Sequence, residues 1–180
     1  NWSRGGRALT WLSAVVVIML GWWFSFPLMY GWSLWGPPPA RVTQPGTGLA
    51  FDPAAVVAAV QASDWNDHVP WQPYYPGLPE ELARRGYTVY VDFTATWCVT
   101  CQTNKATAIE IDSTRTKMRS LGVIPLKADY TKRDPAIREK LLAHGRNSVP
   151  LNLLYPARQP EAVIELPVVL TPGTVANALD

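Results

Sequence analysis

Two different hydrophobic patterns divide the chain. From Ala8 to Met29 the sequence is almost continuously apolar, and no charged residue occurs between Ala8 and Ala40. After residue 50, short apolar runs alternate with polar stretches that hold Gly, Pro or Asp. The first pattern is typical of a membrane-spanning helix, and the second is typical of a folded domain that contains both helices and strands.

The apolar segment of residues 8–29 is long enough to cross a bilayer, since a helix of about 20 residues is about 30 Å long. Arg4 and Arg7 precede it, so the positive-inside tendency predicts a cytoplasmic N-terminus. A cleaved signal peptide and a buried helix of a soluble domain are the alternatives. The run has no Ala-x-Ala cleavage motif after it and no polar face. We therefore expect one transmembrane helix within residues 1–35, with the rest of the chain beyond the membrane.

Prolines and capping residues indicate the organisation of the chain after the apolar segment. Gly36-Pro37-Pro38-Pro39 begins a stiff Pro-rich linker, which we place at residues 36–70. Within it, Asp52-Pro53 predicts the start of a short helix that runs to Ala62. Trp65 to Pro76 shows no periodicity and is predicted to be a loop packed on the second domain, which we place at residues 71–180.

The pattern of residues 71–180 predicts a short helix followed by the order β-α-β-α-β-β-α. Pro125 favours an end or an edge position in its strand, and right-handed crossovers are expected for the parallel connections. The predicted elements are a helix over Pro79–Arg85, a strand over Tyr87–Phe93, a helix from Cys98 to about Glu110 with a second piece ending at Leu121, a strand over Val123–Asp129, a helix from Pro135 to His144, strands over Leu151–Leu154 and Ala162–Leu166, and a helix from Pro172 to Leu179.

The two cysteines of the chain, Cys98 and Cys101, lie at a predicted strand-to-helix junction. This position puts the first sulfur beside the unpaired N–H groups of the helix, and those groups favour a thiolate. Thiol–disulfide exchange needs such a sulfur and a second thiol close enough to resolve the mixed disulfide. The spacing therefore predicts Cys98 as the nucleophile and Cys101 as the resolving thiol.

Other uses of the cysteine pair remain open at this point. A zinc site needs about four ligands, and beyond the pair the sequence offers only His68 and His144, which we interpret as a surface residue and a helix-terminal residue. An inert disulfide would close almost no loop and would stabilise little. Two unrelated buried thiols are a third possibility. We expect no metal and no cofactor, and a net charge of +2 without a basic cluster predicts no nucleic-acid partner.

The residues around the cysteines resemble a known family. Asp92-Phe93-x-Ala95-x-Trp97-Cys98-x-x-Cys101 resembles the active-site segment of thioredoxins, and Val91 to Lys105 resembles the C-terminal domain of DsbD-type thiol:disulfide interchange (cytochrome c biogenesis) proteins. The resemblance extends from about Trp71 to the C-terminus. It includes Leu126–Thr131, Arg133–Ile137 and Ser148–Pro156, and departs from thioredoxin at Val99-Thr100, where thioredoxin has Gly-Pro.

The resemblance implies a thioredoxin-like α/β fold, a mixed sheet flanked by helices, preceded by one transmembrane helix. It implies that Asp92 is a buried carboxylate with a raised pKa that takes the proton of Cys101, although a wet strand end is the plainer interpretation. It implies a cis bond between Val149 and Pro150 that faces the cysteines and exposes the Val149 backbone to an extended partner. Trp97 is expected to shield the sulfur and to contribute to partner binding.

We therefore expect a membrane-tethered thiol:disulfide oxidoreductase in the bacterial inner membrane with its catalytic domain in the periplasm. Its expected partners are periplasmic disulfide-bearing proteins and a membrane-embedded electron-donor domain. Since residue 1 is Asn, we expect a processed product or a fragment of a longer protein. The alternatives are a stand-alone anchored reductase for cytochrome c maturation and a non-catalytic binding module with permanently paired cysteines.

Overall fold

A computed structural model describes residues 51–180 of the chain. The predicted transmembrane helix over residues 8–29 and the first part of the predicted linker lie outside the described residues. Within residues 51–180, no helix is both long and apolar enough to cross a membrane.

The described residues form an α/β fold with helices on a five-stranded sheet. Six α-helices, one π-helix and five strands make up this part of the chain. In chain order they are α1 (Pro53–Ala62), β1 (Gln72–Pro73), α2 (Leu78–Arg84), β2 (Val89–Thr94), α3 (Val99–Asn104), the π-helix (Lys105–Ile109), α4 (Asp112–Ser120), β3 (Ile124–Asp129), α5 (Pro135–Ala143), β4 (Leu151–Tyr155), β5 (Ile164–Leu166) and α6 (Pro172–Leu179).

The sheet is mixed and has the strand order β1-β3-β2-β4-β5. The central strand β2 is parallel to β3 and antiparallel to β4, and all six of its residues are buried. In this register Asp92 lies between Lys127 on β3 and Asn152 on β4. Because opposite residues of paired strands share a face, these three side chains project from the same side of the sheet.

The predicted helix starts are confirmed at their caps. The carboxylate of Asp52 accepts a hydrogen bond from Ala54 N at 2.9 Å, and that of Asp134 accepts one from Ala136 N at 2.8 Å. These bonds satisfy N–H groups that have no partner inside the helix. The helix over Pro135–Ala143 has His144 as its C-cap, and the next residue, Gly145, has a positive φ of 68° that favours glycine.

Two parts of the predicted element order are wrong. The predicted loop from Trp65 to Pro76 contains the strand β1, which pairs in parallel with Leu126 and Lys127 of β3. The predicted single helix after Cys98 changes at Lys105 from an α-helix to a π-helix. The pairing of β1 depends on contacts with a strand that is distant in the sequence. The change from α-helix to π-helix is a change in hydrogen bonding that the local hydrophobic period does not encode.

The core extends beyond the predicted catalytic segment. Helix α1 buries Val57 and Val60, and Phe51 and Trp65 join the same apolar cluster as the sheet. The Phe51 ring also stacks on Tyr75 at 6.0 Å between centroids. The domain boundary at residue 71 stays a prediction, but residues 51–70 share one hydrophobic core with residues 71–180.

Candidate active site

The two cysteines lie where strand β2 passes into helix α3, as their spacing predicts. Their sulfurs are bonded to each other, and Cys98 occupies the N-cap position of α3, where its Sγ accepts a hydrogen bond from Cys101 N at 3.1 Å. Cys98 is 7% exposed and Cys101 is 2% exposed. The pair can therefore form and break a disulfide at a helix start, with Cys98 the more accessible sulfur.

The loop that leads into the cysteines is held by main-chain and side-chain bonds. The carbonyl of Ala95 accepts hydrogen bonds from Cys98 N and from Gln102 Nε2, both at 3.1 Å. The Gln102 bond links the first turn of α3 back to the end of the strand. This double attachment fixes the position of the Cys98 sulfur relative to β2.

Trp97 lies on the surface next to the nucleophile position, and 47% of it is exposed. Its indole Nε1 donates to the carbonyl of Thr131 at 3.3 Å, and Thr96 N donates to the hydroxyl of Thr131 at 3.0 Å. The loop after β3 therefore orients the indole while leaving an apolar surface beside the sulfurs. Trp97 is therefore not a core residue, and its expected parts in shielding the sulfur and in partner binding stay predictions.

Asp92 is buried, with 2% of its surface exposed. Burial raises the pKa of its carboxyl from 3.8 to about 6, although the positive charges of Lys105 and Lys127 act to lower it. Its Oδ2 atom has no hydrogen-bond partner among the described residues. Asp92 is therefore buried and does not lie at a wet strand end, and its role in taking the proton of Cys101 stays a prediction.

The bond between Val149 and Pro150 is cis, as the resemblance implies. Val149 packs against a small buried cluster formed by Ala95, Cys98 and Cys101. The structure therefore brings the segment before β4 to the cysteine pair. The pairing of the Val149 backbone with a partner stays a prediction.

Sequence reasoning missed the lysines near Asp92 and the part played by Thr131. Lys105 Nζ lies 3.9 Å from Asp92 Oδ2, and Lys127 is the residue opposite Asp92 on β3. Lys127 lies inside a strand that was predicted, so a register for the parallel pair of β2 and β3 would have placed it opposite Asp92. Thr131 lies two residues after the end of that strand. Lys105 depends on the packing of the π-helix on the sheet, for which the sequence carries no signal.

The two histidines do not join the cysteines. His68 is exposed, and His144 is the C-cap of α5, with its Nδ1 atom 3.5 Å from Glu165 Oε2. Within residues 51–180, no group of three or more His, Cys, Asp or Glu side chains is placed to hold a metal ion.

Part of the described chain matches a known family. A family model described as thioredoxin-like matches residues 70–157, a span that contains the cysteine pair, Asp92 and the cis-proline. Residues 70–157 are therefore similar to a thioredoxin-like domain, and they contain the Cys-x-x-Cys pair. None of the curated proteins matches the chain in sequence.

Several solved structures are similar in fold. The C-terminal domain of DsbD from Neisseria meningitidis in its reduced form is 13% identical, with 60% of this chain and 96% of that chain covered and a TM-score of 0.46. The oxidised form of that domain is 17% identical, with 71% and 92% covered and a TM-score of 0.45. A thioredoxin from Thermus thermophilus is 16% identical, with 61% and 84% covered and a TM-score of 0.46.

Proposed function

We propose that the protein is a thiol:disulfide oxidoreductase that reduces disulfides of other proteins through Cys98 and Cys101. The observation that carries the proposal is the bonded cysteine pair at the start of α3, inside a thioredoxin-like domain. A sulfur at a helix start is stabilised as a thiolate by the helix N–H groups. The second sulfur, three residues on, is close enough to displace a partner from the first.

The exchange takes two steps. The Cys98 thiolate attacks one sulfur of the partner disulfide, which forms a mixed disulfide and releases the other partner sulfur as a thiolate. Cys101 then loses its proton to the Asp92 carboxylate and attacks Cys98 Sγ. The Cys98–Cys101 disulfide forms, the second partner sulfur leaves as a thiolate, and two electrons have passed to the partner.

The site also offers features for partner binding. Exposed apolar side chains flank the sulfurs, with Trp97 at 47% and Val99 at 79% exposure. Val149 lies against the cysteine cluster, and its backbone is proposed to pair with an extended segment of the partner, as in strand addition. Such pairing would align the partner's disulfide with Cys98.

The cellular setting of the proposal rests on the sequence. Residues 8–29 would tether the domain to the bacterial inner membrane, with the cysteines in the periplasm. Electrons would reach Cys98 and Cys101 from a cysteine pair in a membrane-embedded donor domain, and would leave to periplasmic disulfide-bearing proteins.

A pair of cysteine variants tests the mechanism. The reduced Cys101→Ala chain should form a stable mixed disulfide with a peptide that contains an intramolecular disulfide, because no second thiol remains to resolve it. The Cys98→Ala chain is the matched control and should give little adduct, since Cys101 is nearly fully buried. Mass spectrometry after acid quenching measures both adducts. Equal trapping by the two variants would contradict the assignment of Cys98, and failure of the wild-type chain to exchange with any disulfide would leave a binding module.

A further inference from the structure

Among residues 51–180, Lys105 is the cation nearest to the buried carboxylate of Asp92. Its Nζ lies 3.9 Å from Asp92 Oδ2, and the two side chains are 19% and 3% exposed. The same Oδ2 atom has no hydrogen-bond donor among residues 51–180. The ammonium group is therefore the main source of stabilisation for a negative charge on that oxygen.

The position of Lys105 is fixed by Trp71, a residue from the segment before β1. The ammonium group lies over the Trp71 ring, 5.4 Å from its centroid, which is within the range of a cation–π contact. The indole Nε1 of Trp71 donates to Glu110 Oε1 at 2.6 Å. The edge of the Trp71 ring is thus hydrogen-bonded to the Glu110 carboxylate, and the face of the ring contacts the Lys105 ammonium group.

The π-helix explains why Lys105 and Glu110 both contact the indole ring of Trp71. Glu110 N donates to the carbonyl of Lys105 at 2.8 Å, which is the i to i+5 closure of a π-turn. Lys105 and Glu110 both contact Trp71 across this wider turn. Single π-turns of this kind occur frequently at functional sites.

Other titratable groups also face Asp92. Lys127 from β3 favours the charged form of its carboxyl, and Glu110 disfavours it. Tyr90 lies two residues before it on β2, with its hydroxyl bonded to Asn152 Oδ1 at 2.9 Å. Lys127 is 38% exposed and lies 4.0 Å from Asp129, so Lys105 is the less hydrated of the two cations near Asp92.

We propose that Lys105, held by Trp71 and Glu110, is a positioning residue that keeps Asp92 ionised so that it can take the proton of Cys101. The inference rests on the proposed function, because the proton transfer is the one that accompanies resolution of the mixed disulfide. Before the transfer Asp92 is a carboxylate paired with the Lys105 ammonium. After it Asp92 is neutral, Cys101 is a thiolate, and the ammonium keeps its own proton.

Two reduced variants of the full chain, Lys105→Met and Lys105→Arg, test the proposal. Stopped-flow release of the second partner thiol from a peptide disulfide measures the resolution step between pH 5 and pH 9. In Lys105→Met, Asp92 should ionise only at higher pH. The curve of rate against pH should then shift to higher pH by about one unit. At a pH where the rate is still rising, the mixed disulfide should therefore be resolved roughly tenfold more slowly. Lys105→Arg retains the charge and should restore most of the wild-type profile.

Three controls separate this role from a structural one. Lys132→Met removes one exposed positive charge that does not act on Asp92 and should leave the profile unchanged. In an Asp92→Asn background, Lys105→Met should have no further effect on the profile, because its target is absent. Carbon-13 titration of the Asp92 carboxyl in the oxidised chain should give a higher pKa in Lys105→Met than in the wild type.

Failure of the proposal for Lys105 can be distinguished from failure of the proposed oxidoreductase function. If the wild-type chain exchanges but Lys105→Met behaves like Lys132→Met, the role of Lys105 is overturned and the oxidoreductase proposal stands. A Lys105→Met effect that persists without Asp92 would also overturn it. If the wild-type chain does not exchange at all, the oxidoreductase proposal fails, while an unchanged carboxyl titration would independently reject the pairing of Lys105 with Asp92.

Discussion

At the residue scale, the site combines a sulfur that accepts a backbone hydrogen bond at a helix start with a buried carboxyl group whose pKa is raised. The N-cap position of Cys98 supplies an N–H donor to the sulfur, whereas Asp92 lies inside the sheet without a hydrogen bond to Oδ2 among the described residues. A charged Asp92 therefore costs free energy in the folded state, and this cost is partly offset by Lys105 and Lys127. Buried carboxylates with raised pKa values are frequently found at functional sites.

The cost of Asp92 should be visible as a dependence of stability on pH. Its pKa is about 6 in the folded protein and 3.8 ordinarily, so the folded state binds the proton more tightly. The protonated Asp92 carboxyl therefore contributes to the free energy of unfolding below about pH 4, and this contribution is lost as the pH rises through about 6. We expect Asp92→Asn to stabilise the oxidised protein by up to about 3 kcal/mol at pH 7, and by little at pH 3.5. Urea unfolding at the two pH values measures the difference.

Asp129, at the end of β3, provides a control because its pKa is shifted in the opposite direction to that of Asp92. Burial acts to raise the pKa of Asp129, but hydrogen bonds from Thr131 and the charges of Lys127 and Lys105 outweigh burial and lower it. Asp129→Asn should therefore destabilise the protein at pH 7. Equal effects of the two substitutions would contradict this account of Asp92.

At the scale of elements, one buried side-chain amide connects the helix that follows Cys98 to the segment between β5 and α6. Asn104, the final residue of α3, is 2% exposed. Its Nδ2 donates to the carbonyl of Val168 at 2.8 Å and its Oδ1 accepts from Leu170 N at 3.0 Å. Both ends of the amide are thus used to hold the segment between β5 and α6, which exposes Val168 and Val169.

Removing this amide should release the segment without breaking the fold. Asn104→Ala leaves the buried N–H of Leu170 and the part-buried carbonyl of Val168 without their partner, and we expect a loss of about 1–3 kcal/mol in the free energy of unfolding. The amide proton of Leu170 should also exchange faster with solvent. Thr103→Ala, an exposed change on the same helix, is the control for helix propensity. Unchanged exchange at Leu170 in Asn104→Ala would show that the amide does not hold the segment.

Sequence reasoning identified the elements that carry local signals. Asp52, Asp134 and Thr171 each precede a proline, and each caps a helix whose bounds were predicted to within a residue. The strand β1 was missed because two residues, one of them Pro73, give no alternation to detect. The arrangement of Trp71, Lys105 and Glu110 joins residues more than 30 positions apart, so only the folded chain brings it together.

At the scale of the whole molecule, the sheet offers little edge to other chains. One edge is β1, with two residues, and the other is β5, with three, among the strands of residues 51–180. Short edge strands are a common protection against unwanted pairing. In the proposed function a partner would therefore pair with the backbone of Val149 beside the cysteines, and not with a free edge of the sheet.

The proposed location of the domain predicts the side from which its thiol is reached. In the Cys101→Ala chain, Cys98 is the one cysteine left in residues 1–180, and reducing the spheroplasts before labelling releases it from any mixed disulfide with a partner. If the apolar segment spans the inner membrane with the N-terminus inside, a membrane-impermeant maleimide should label Cys98 in intact spheroplasts as fully as after detergent lysis. A gel shift measures the labelled fraction. Labelling that requires lysis would reject the periplasmic placement.

The nearness of the buried Cys101 sulfur to Cys98 has a consequence for damage by peroxides. If hydrogen peroxide oxidised Cys98 to a sulfenic acid, the Cys101 thiol would condense with it, and water would be lost as the intramolecular disulfide formed. That disulfide can be reduced again, whereas sulfinic and sulfonic acids generally cannot. In the proposed function, the two sulfurs that exchange electrons with partners would therefore also protect the site from irreversible overoxidation.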